Sequence, residues 1–116
     1  MEACALVRTE HLNHYGRLFG GQMLRWVDEF AWVAATRQFP GRNFVTRALQ
    51  QVEFRHQVGN GEILTFEIEL ESQGVSSVAY AVRVSAQSPA TAKQRQVFTT
   101  TVVMVAVDTN GNKTQI

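Results

Sequence analysis

The residues whose type and spacing could do chemistry are Asp28 and the Gly20-Gly21 pair that precedes it. The segment from Gln22 to Phe39 has no glycine or proline and predicts the one long helix. Pro40-Gly41 ends it, because proline cannot continue the hydrogen-bond ladder and glycine relaxes the backbone. At ~100° per residue, Leu24, Ala31 and Ala35 fall within about 60° of Asp28, and Val27, Ala34 and Met23 continue the apolar arc. Gln22, Arg25, Glu29, Thr36 and Arg37 take the opposite side. Asp28 is therefore expected at the border of the buried face, beside Trp32, with Glu29 in solvent. A carboxylate at that border loses hydration. Either a local hydrogen bond or a pair with Arg25 keeps it there, or it is a proton acceptor in a cleft.

Gly20-Gly21 lies about two helical turns before Asp28. Glycines at a helix start let a ligand approach bare amides, where the helix dipole favours negative charge. They also permit a tight loop-to-helix turn, and spacing alone does not choose between the two. An amide donor with a carboxylate base is what acyl transfer to water needs, one to hold the oxyanion and one to activate the nucleophile.

The elements that must position these groups are legible from periodicity. Cys4 to Val7 is a short apolar run that predicts an edge strand, with Cys4 as a small buried hydrophobe. After Gly41 the period becomes two. Leu64, Phe66, Ile68 and Leu70 alternate with Thr65, Glu67, Glu69 and Glu71; Val78, Tyr80, Val82 and Val84 alternate with Ala79, Ala81, Arg83 and Ser85. Such strands have one wet face, to which Glu67, Glu69 and Glu71 belong. Val52 and Phe54 show the same alternation, and Val102 to Val107, nearly all apolar, predicts a central strand. Breaks at Gly59-Asn60-Gly61, Gln73-Gly74, Ser88 to Lys93 and Asn110-Gly111 have hairpin composition. The expectation is one α+β domain over residues 1–116: a strand, a helix, then four antiparallel strands whose sheet covers the helix.

Length and charge agree with this. The 116 residues fit one domain able to bury a core, and 45% hydrophobic with 18% charged residues is ordinary for a globular chain. A net charge of +1 argues against nucleic acid as the main partner. No run approaches the ~18 apolar residues of a membrane span, and no signal peptide is visible, so a cytoplasmic protein is expected. His11, His14 and His56 have no metal-ligand spacing, and no metal is expected. Gly74-Val75-Ser76-Ser77-Val78 lacks the last glycine of a nucleophile elbow, and Ser76 and Ser77 are expected to begin a strand.

Asn13-His14-Tyr15-Gly16-Arg17-Leu18-Phe19-Gly20-Gly21, followed seven residues later by Asp28, resembles the N-x-x-G-x-x-F-G-G motif and downstream aspartate of the cytosolic acyl-CoA hydrolase branch of hotdog-fold thioesterases. Val45-Thr46, Val52-Glu53-Phe54, Gly61-Glu62, Gly74-Val75-Ser76-Ser77 and the closing Phe98 to Val107 stretch fall in that family's order and spacing, so the resemblance covers nearly the whole chain. It implies a hotdog fold, one long helix on a curved antiparallel sheet of about five strands in the order β-α-β-β-β-β. It implies hydrolysis of acyl-CoA to free fatty acid and coenzyme A, with no cofactor because coenzyme A is part of the substrate. Asp28 is implied as general base or nucleophile, Asn13 as a partner placing water or the thioester, and the Gly21 amide as carbonyl donor. Phe19, Gly20, Thr46, Ser76 and Ser77 are implied as substrate-binding. The site is implied at a dimer interface, with Asn13 and Gly21 of one copy facing Asp28 of the other, and the dimers can form trimers of dimers. The alternative is a non-catalytic hotdog module that binds acyl-CoA or dimerises. Two positions depart from the pattern. Glu62 stands where the family often has Asp, and Val75 where it often has a basic residue, which leaves the phosphate contact to Arg47, Arg55, Lys93 or Arg95 if any of these supplies it.

Overall fold

The structure, a computed structural model, describes residues 1–116. Its elements are β1 (Glu2–Leu6), a 3₁₀ turn (Thr9–His11), α1 (Gly20–Gln38), β2 (Asn43–Phe54), β3 (Ile63–Gln73), β4 (Ser77–Gln87) and β5 (Gln94–Val107). The five strands form one sheet in the order β1-β3-β4-β5-β2, and every neighbouring pair is antiparallel. α1 packs on one face of it, as the sequence leads one to expect.

The period-two pattern becomes the packing. Leu64, Phe66 and Ile68 of β3, and Val78, Tyr80, Val82, Val84 and Ala86 of β4, are buried. On the other face Arg83 pairs with Glu67 and Glu69. β5 lies between β4 and β2 and buries every residue from Val102 to Ala106, both parities alike, so its lack of alternation reflects a stretch covered on both faces. From the helix, Val27, Ala31 and Ala35 are fully covered, with Met23 and Ala34 close behind. The three alanines let the helix backbone approach the sheet. Trp26 and Phe30, one turn apart, grip Phe66 edge-on, with ring centroids 6.1 and 4.9 Å from it. At the far end of α1 the Tyr80 hydroxyl donates to Gln38 Oε1 at 2.7 Å, and burial pushes its pKa up to about 12. The Phe39 amide closes the helix on the Ala35 carbonyl.

Three expectations fail. Val52 and Phe54 do not form the buried side of a half-wet strand: both are exposed, because they lie at the end of β2, the edge strand of the sheet. The Gly59-Asn60-Gly61 break is not a hairpin: β2 pairs with β5, whereas β3 lies between β1 and β4, so residues 55–62 cross past two strands. Turn composition marks where a chain reverses and does not say which strands then pair. Cys4 is exposed, not buried. Ala3 and Ala5 are the residues of β1 that pack on the core, and strand parity turns Cys4 to the other face, 3.8 Å from the Thr65 hydroxyl.

Candidate active site

Asp28 is exposed in the single chain, contrary to the half-buried position expected. Its side of α1 lies over β2, the edge strand, where the sheet ends and nothing covers it. Nor does Arg25 hold it, since Asp28 makes no ion pair. The Thr46 hydroxyl donates to Asp28 Oδ1 at 2.5 Å, across from β2. Oδ1 is thereby committed, and Oδ2 is left for another partner. Asp28 and Thr46 share a depression of about 400 Å³ with Glu29, Trp32, Phe44 and Val45. A β-bulge directly after Thr46 lets it face the helix while the strand bends away.

The glycine pair stands at the opposite end of β2. Phe19 is the N-cap, and the first intrahelical bonds run from Gln22 and Met23 to its carbonyl, so the Gly20 and Gly21 amides precede the ladder. Phe19 is exposed and its ring lies over Gly21: a Cβ there would meet the ring at 3.0 Å. Gly20 sits under the Phe54 ring, 3.5 Å from where a Cβ would be. Gly20 and Asn13 line a second cavity, of 350 Å³, with an apolar floor of Leu18, Met23, Phe54, Val58 and Val97 and a polar rim including Arg17, Arg55 and His56.

Asn13 organises the turn before the helix. Its Oδ1 accepts the Tyr15 and Arg17 amides at 2.9 and 3.2 Å, and its own amide donates to the Arg17 carbonyl at 2.7 Å. Two N–H donors on one atom identify that atom as oxygen, so the group Asn13 has free is its Nδ2 donor.

One chain therefore brings together Asp28 with Thr46, and Asn13 with Gly20, but not the two groups with each other. Gly21 and Asp28 are seven residues apart on one helix, about 10 Å along its axis. Ser76 and Ser77 join neither group. Ser77 opens β4 level with Val105, which is level with Val45 on β2. That places it two strands across, roughly 10 Å, on the face opposite the buried Val78. Its hydroxyl packs over Gly74 instead.

The cations expected as phosphate candidates are partly engaged. Arg55 pairs with Glu53 at 3.5 Å. Arg95 forks onto Glu62, at 2.6 and 3.0 Å, and also donates to the Gln57 carbonyl. No local spacing reveals this pair, because it takes the registers of β5 on β4 and of β4 on β3 together to bring Arg95 level with the start of β3, next to Glu62. The Arg95 hydrogen bond, and after it the Gly59 amide, hold the Glu62 carboxyl below its ordinary value against the opposing effect of burial. A depressed folded pKa stabilises above the unfolded value of 4.5 and is lost as pH falls through the folded one. Thermal melts should thus show the parent chain losing more of its melting temperature than Glu62→Gln does between about pH 5 and about pH 3; parallel curves would show the pair contributes nothing to acid stability.

Residues 15–93 match the family model described as the thioesterase superfamily, and the chain belongs to that superfamily. It is 30% identical to the acetyl-coenzyme A thioesterase of Mus musculus over 93% of this chain and 20% of the relative. It is 28% identical to the uncharacterized acyl-CoA thioester hydrolase YkhA of Bacillus subtilis over 85% of this chain and 57% of that protein. The chain thus spans about a fifth of the mouse relative's length and just over half of the bacterial one's. Among solved structures, an apo-hexameric acyl-CoA thioesterase superposes with a TM-score of 0.92 at 28% identity, over 99% of this chain and 73% of the other.

Proposed function

We propose that the chain hydrolyses acyl-CoA thioesters to a free acid and coenzyme A, at a site completed by two copies of the chain. The observation that carries this is the division of the catalytic groups. The carboxylate and the free helix amides are each in place, yet about 10 Å apart on one helix, too far to act on one carbonyl. A two-fold pairing that sets residue i beside residue j also sets j beside i. Two α1 helices laid antiparallel and centred between Leu24 and Arg25 would place Gly21 of one opposite Asp28 of the other. The helix face required carries the exposed Gly21, Asp28 and Trp32. The neighbouring β2 is a 12-residue edge strand with Val45 and Val52 exposed, an edge suited to a second copy. A structural relative is a hexamer, a number of copies with which three such dimers agree.

In this reading the Gly21 amide and Asn13 Nδ2 donate to the thioester carbonyl oxygen. Asp28 Oδ2 takes a proton from water as the water oxygen bonds to the carbonyl carbon. Collapse of the tetrahedral intermediate breaks the C–S bond, and the sulfur leaves as thiolate or takes the proton. Water and substrate supply every atom, so no cofactor is needed. The apolar floor beside Gly20 receives the acyl chain, and Phe19 borders its entry. The cytoplasmic location expected from the sequence goes with this reading.

Free-thiol release from short, medium and long acyl-CoAs tests it. Turnover on at least one chain length is expected. No turnover, with coenzyme A still raising the melting temperature, would favour a non-catalytic binding module. Thr46 gives a further prediction. Its hydroxyl orients the carboxylate through one charged hydrogen bond, a contact of ~1.5–3 kcal/mol. Thr46→Val should therefore lower kcat about tenfold or more while Thr46→Ser stays near the parent. Equal rates in all three would remove Thr46 from the machinery. Asp28 could instead attack the carbonyl itself and form an anhydride; single-turnover hydrolysis in heavy-oxygen water would then leave label in Asp28.

A further inference from the structure

The shortest ion pair in the chain lies outside these catalytic groups. Arg95, near the start of β5, sets Nη1 2.6 Å from Glu62 Oε1 and Nη2 3.0 Å from Oε2. The same Nη2 donates to the Gln57 carbonyl at 2.7 Å, and Glu62 Oε2 accepts the Gly59 amide at 2.7 Å. Residues 57–62 are thereby tied to β5 through one side chain at two points, beyond the Arg55 and His56 amides that donate to the Val97 carbonyl where the segment begins. The tie continues: Arg17 Nε donates to Gln57 Oε1 at 3.1 Å, and the Leu18 amide donates to the Val58 carbonyl at 2.8 Å. Arg17 in turn closes the Asn13 turn, giving its amide to Asn13 Oδ1 and its carbonyl to the Asn13 amide. An unbroken run of hydrogen bonds thus leads from Arg95 through Glu62 and the crossing segment to Asn13.

We propose that Glu62 and Arg95 are a positioning pair that fixes the crossing segment and, through Arg17, sets Asn13 beside the glycine end of α1. Packing alone would not do this. Val58 is the only buried residue of the crossing segment, which holds two glycines and an asparagine within residues 59–61. The other ion pairs join side chains at 3.3–3.5 Å on the open face of the sheet or along β2. Glu62 alone among the carboxylates in those pairs is largely covered, with its side chain 12% exposed. A positioned donor displaced by about 1 Å can cost roughly 100-fold in rate, so a pair that holds the turn is felt in kcat before it is felt in stability.

The catalytic consequence rests on the proposed hydrolase reading; the mechanical one does not. The test uses Arg95→Met and Arg95→Lys in the full chain, with amide exchange followed by NMR alongside steady-state kinetics. Exchange at Tyr15 and Arg17, whose amides Asn13 Oδ1 holds, should accelerate at least about tenfold in Arg95→Met, with amides of the β2–β5 pairing unchanged. In the same variant kcat should fall about tenfold and KM stay within about threefold. Arg95→Lys keeps the charge but loses the fork and should lie between. Parent exchange rates at Tyr15 and Arg17 in both folded variants would overturn the proposal. So would loss of the whole fold in both, which would make the pair a general support. If the parent chain turns over no acyl-CoA, the hydrolase reading fails and the exchange data alone decide this inference.

Discussion

Asp28→Asn should lower kcat/KM on acyl-CoA by at least about 100-fold, the lower range for losing a general base, while the melting temperature moves by less than about 2 °C. The asymmetry follows from where the residue sits. Asp28 is exposed, buries no apolar surface and forms no ion pair. Asparagine is nearly isosteric and keeps an oxygen to accept the Thr46 hydroxyl, so the helix and β2 lose nothing they were using. What disappears is the capacity to take a proton. Thiol release and thermal melting on the same preparation check both halves. A drop in rate matched by a large loss of stability would mean Asp28 is a structural residue, and an unchanged rate would remove it from the chemistry.

Phe66→Ala should have the opposite profile, costing about 3–5 kcal/mol of stability. Phe66 is fully buried at the centre of the layer between helix and sheet, held edge-on by Phe30 and Trp26. Truncation removes its own burial and leaves both indole and phenyl facing a void that two anchored elements cannot collapse to fill. At roughly 4 °C per kcal/mol the melting temperature should fall by roughly 12–20 °C, a large part of a domain's total stability of ~5–15 kcal/mol. Calorimetry checks it. A shift under about 5 °C would show that α1 moves freely enough on the sheet to close the gap, and that the gripping pair is not what fixes the helix.

The sequence carried the elements better than their arrangement. β3 and β4 were legible because each has one wet face, which writes a polar residue at every second position. The helix was legible from an uninterrupted apolar arc ended by Pro40-Gly41. Pairing order was not, since the Gly59-Asn60-Gly61 turn looks the same whether the chain doubles back or crosses the sheet. Cys4 was misjudged because β1 is apolar at positions 3 to 6, and no polar neighbour marks which parity faces the core. Asp28 was misjudged for a related reason. A helical projection gives the apolar arc but not where the opposing sheet stops, and here it stops at β2. The position of Asn13, Gly21 and Asp28 could be named from their motif. The roles of Thr46, as donor to Asp28, and of Arg95 come from contacts 18 and 33 residues apart in sequence, which no spacing rule announces.

A site shared between two copies is tested most directly by mixing two inactive chains. Asn13→Ala and Asp28→Asn, each prepared alone, should be nearly inactive. Co-expressed, half of the randomly formed dimers pair one with the other, and each of these has one intact site, so activity should return to about a quarter of the parent level. The chain carrying both changes, mixed with itself, should recover nothing. If the mixed dimers stay as inactive as their parents, Asn13 and Asp28 act within one chain or not together at all, and the shared site is wrong.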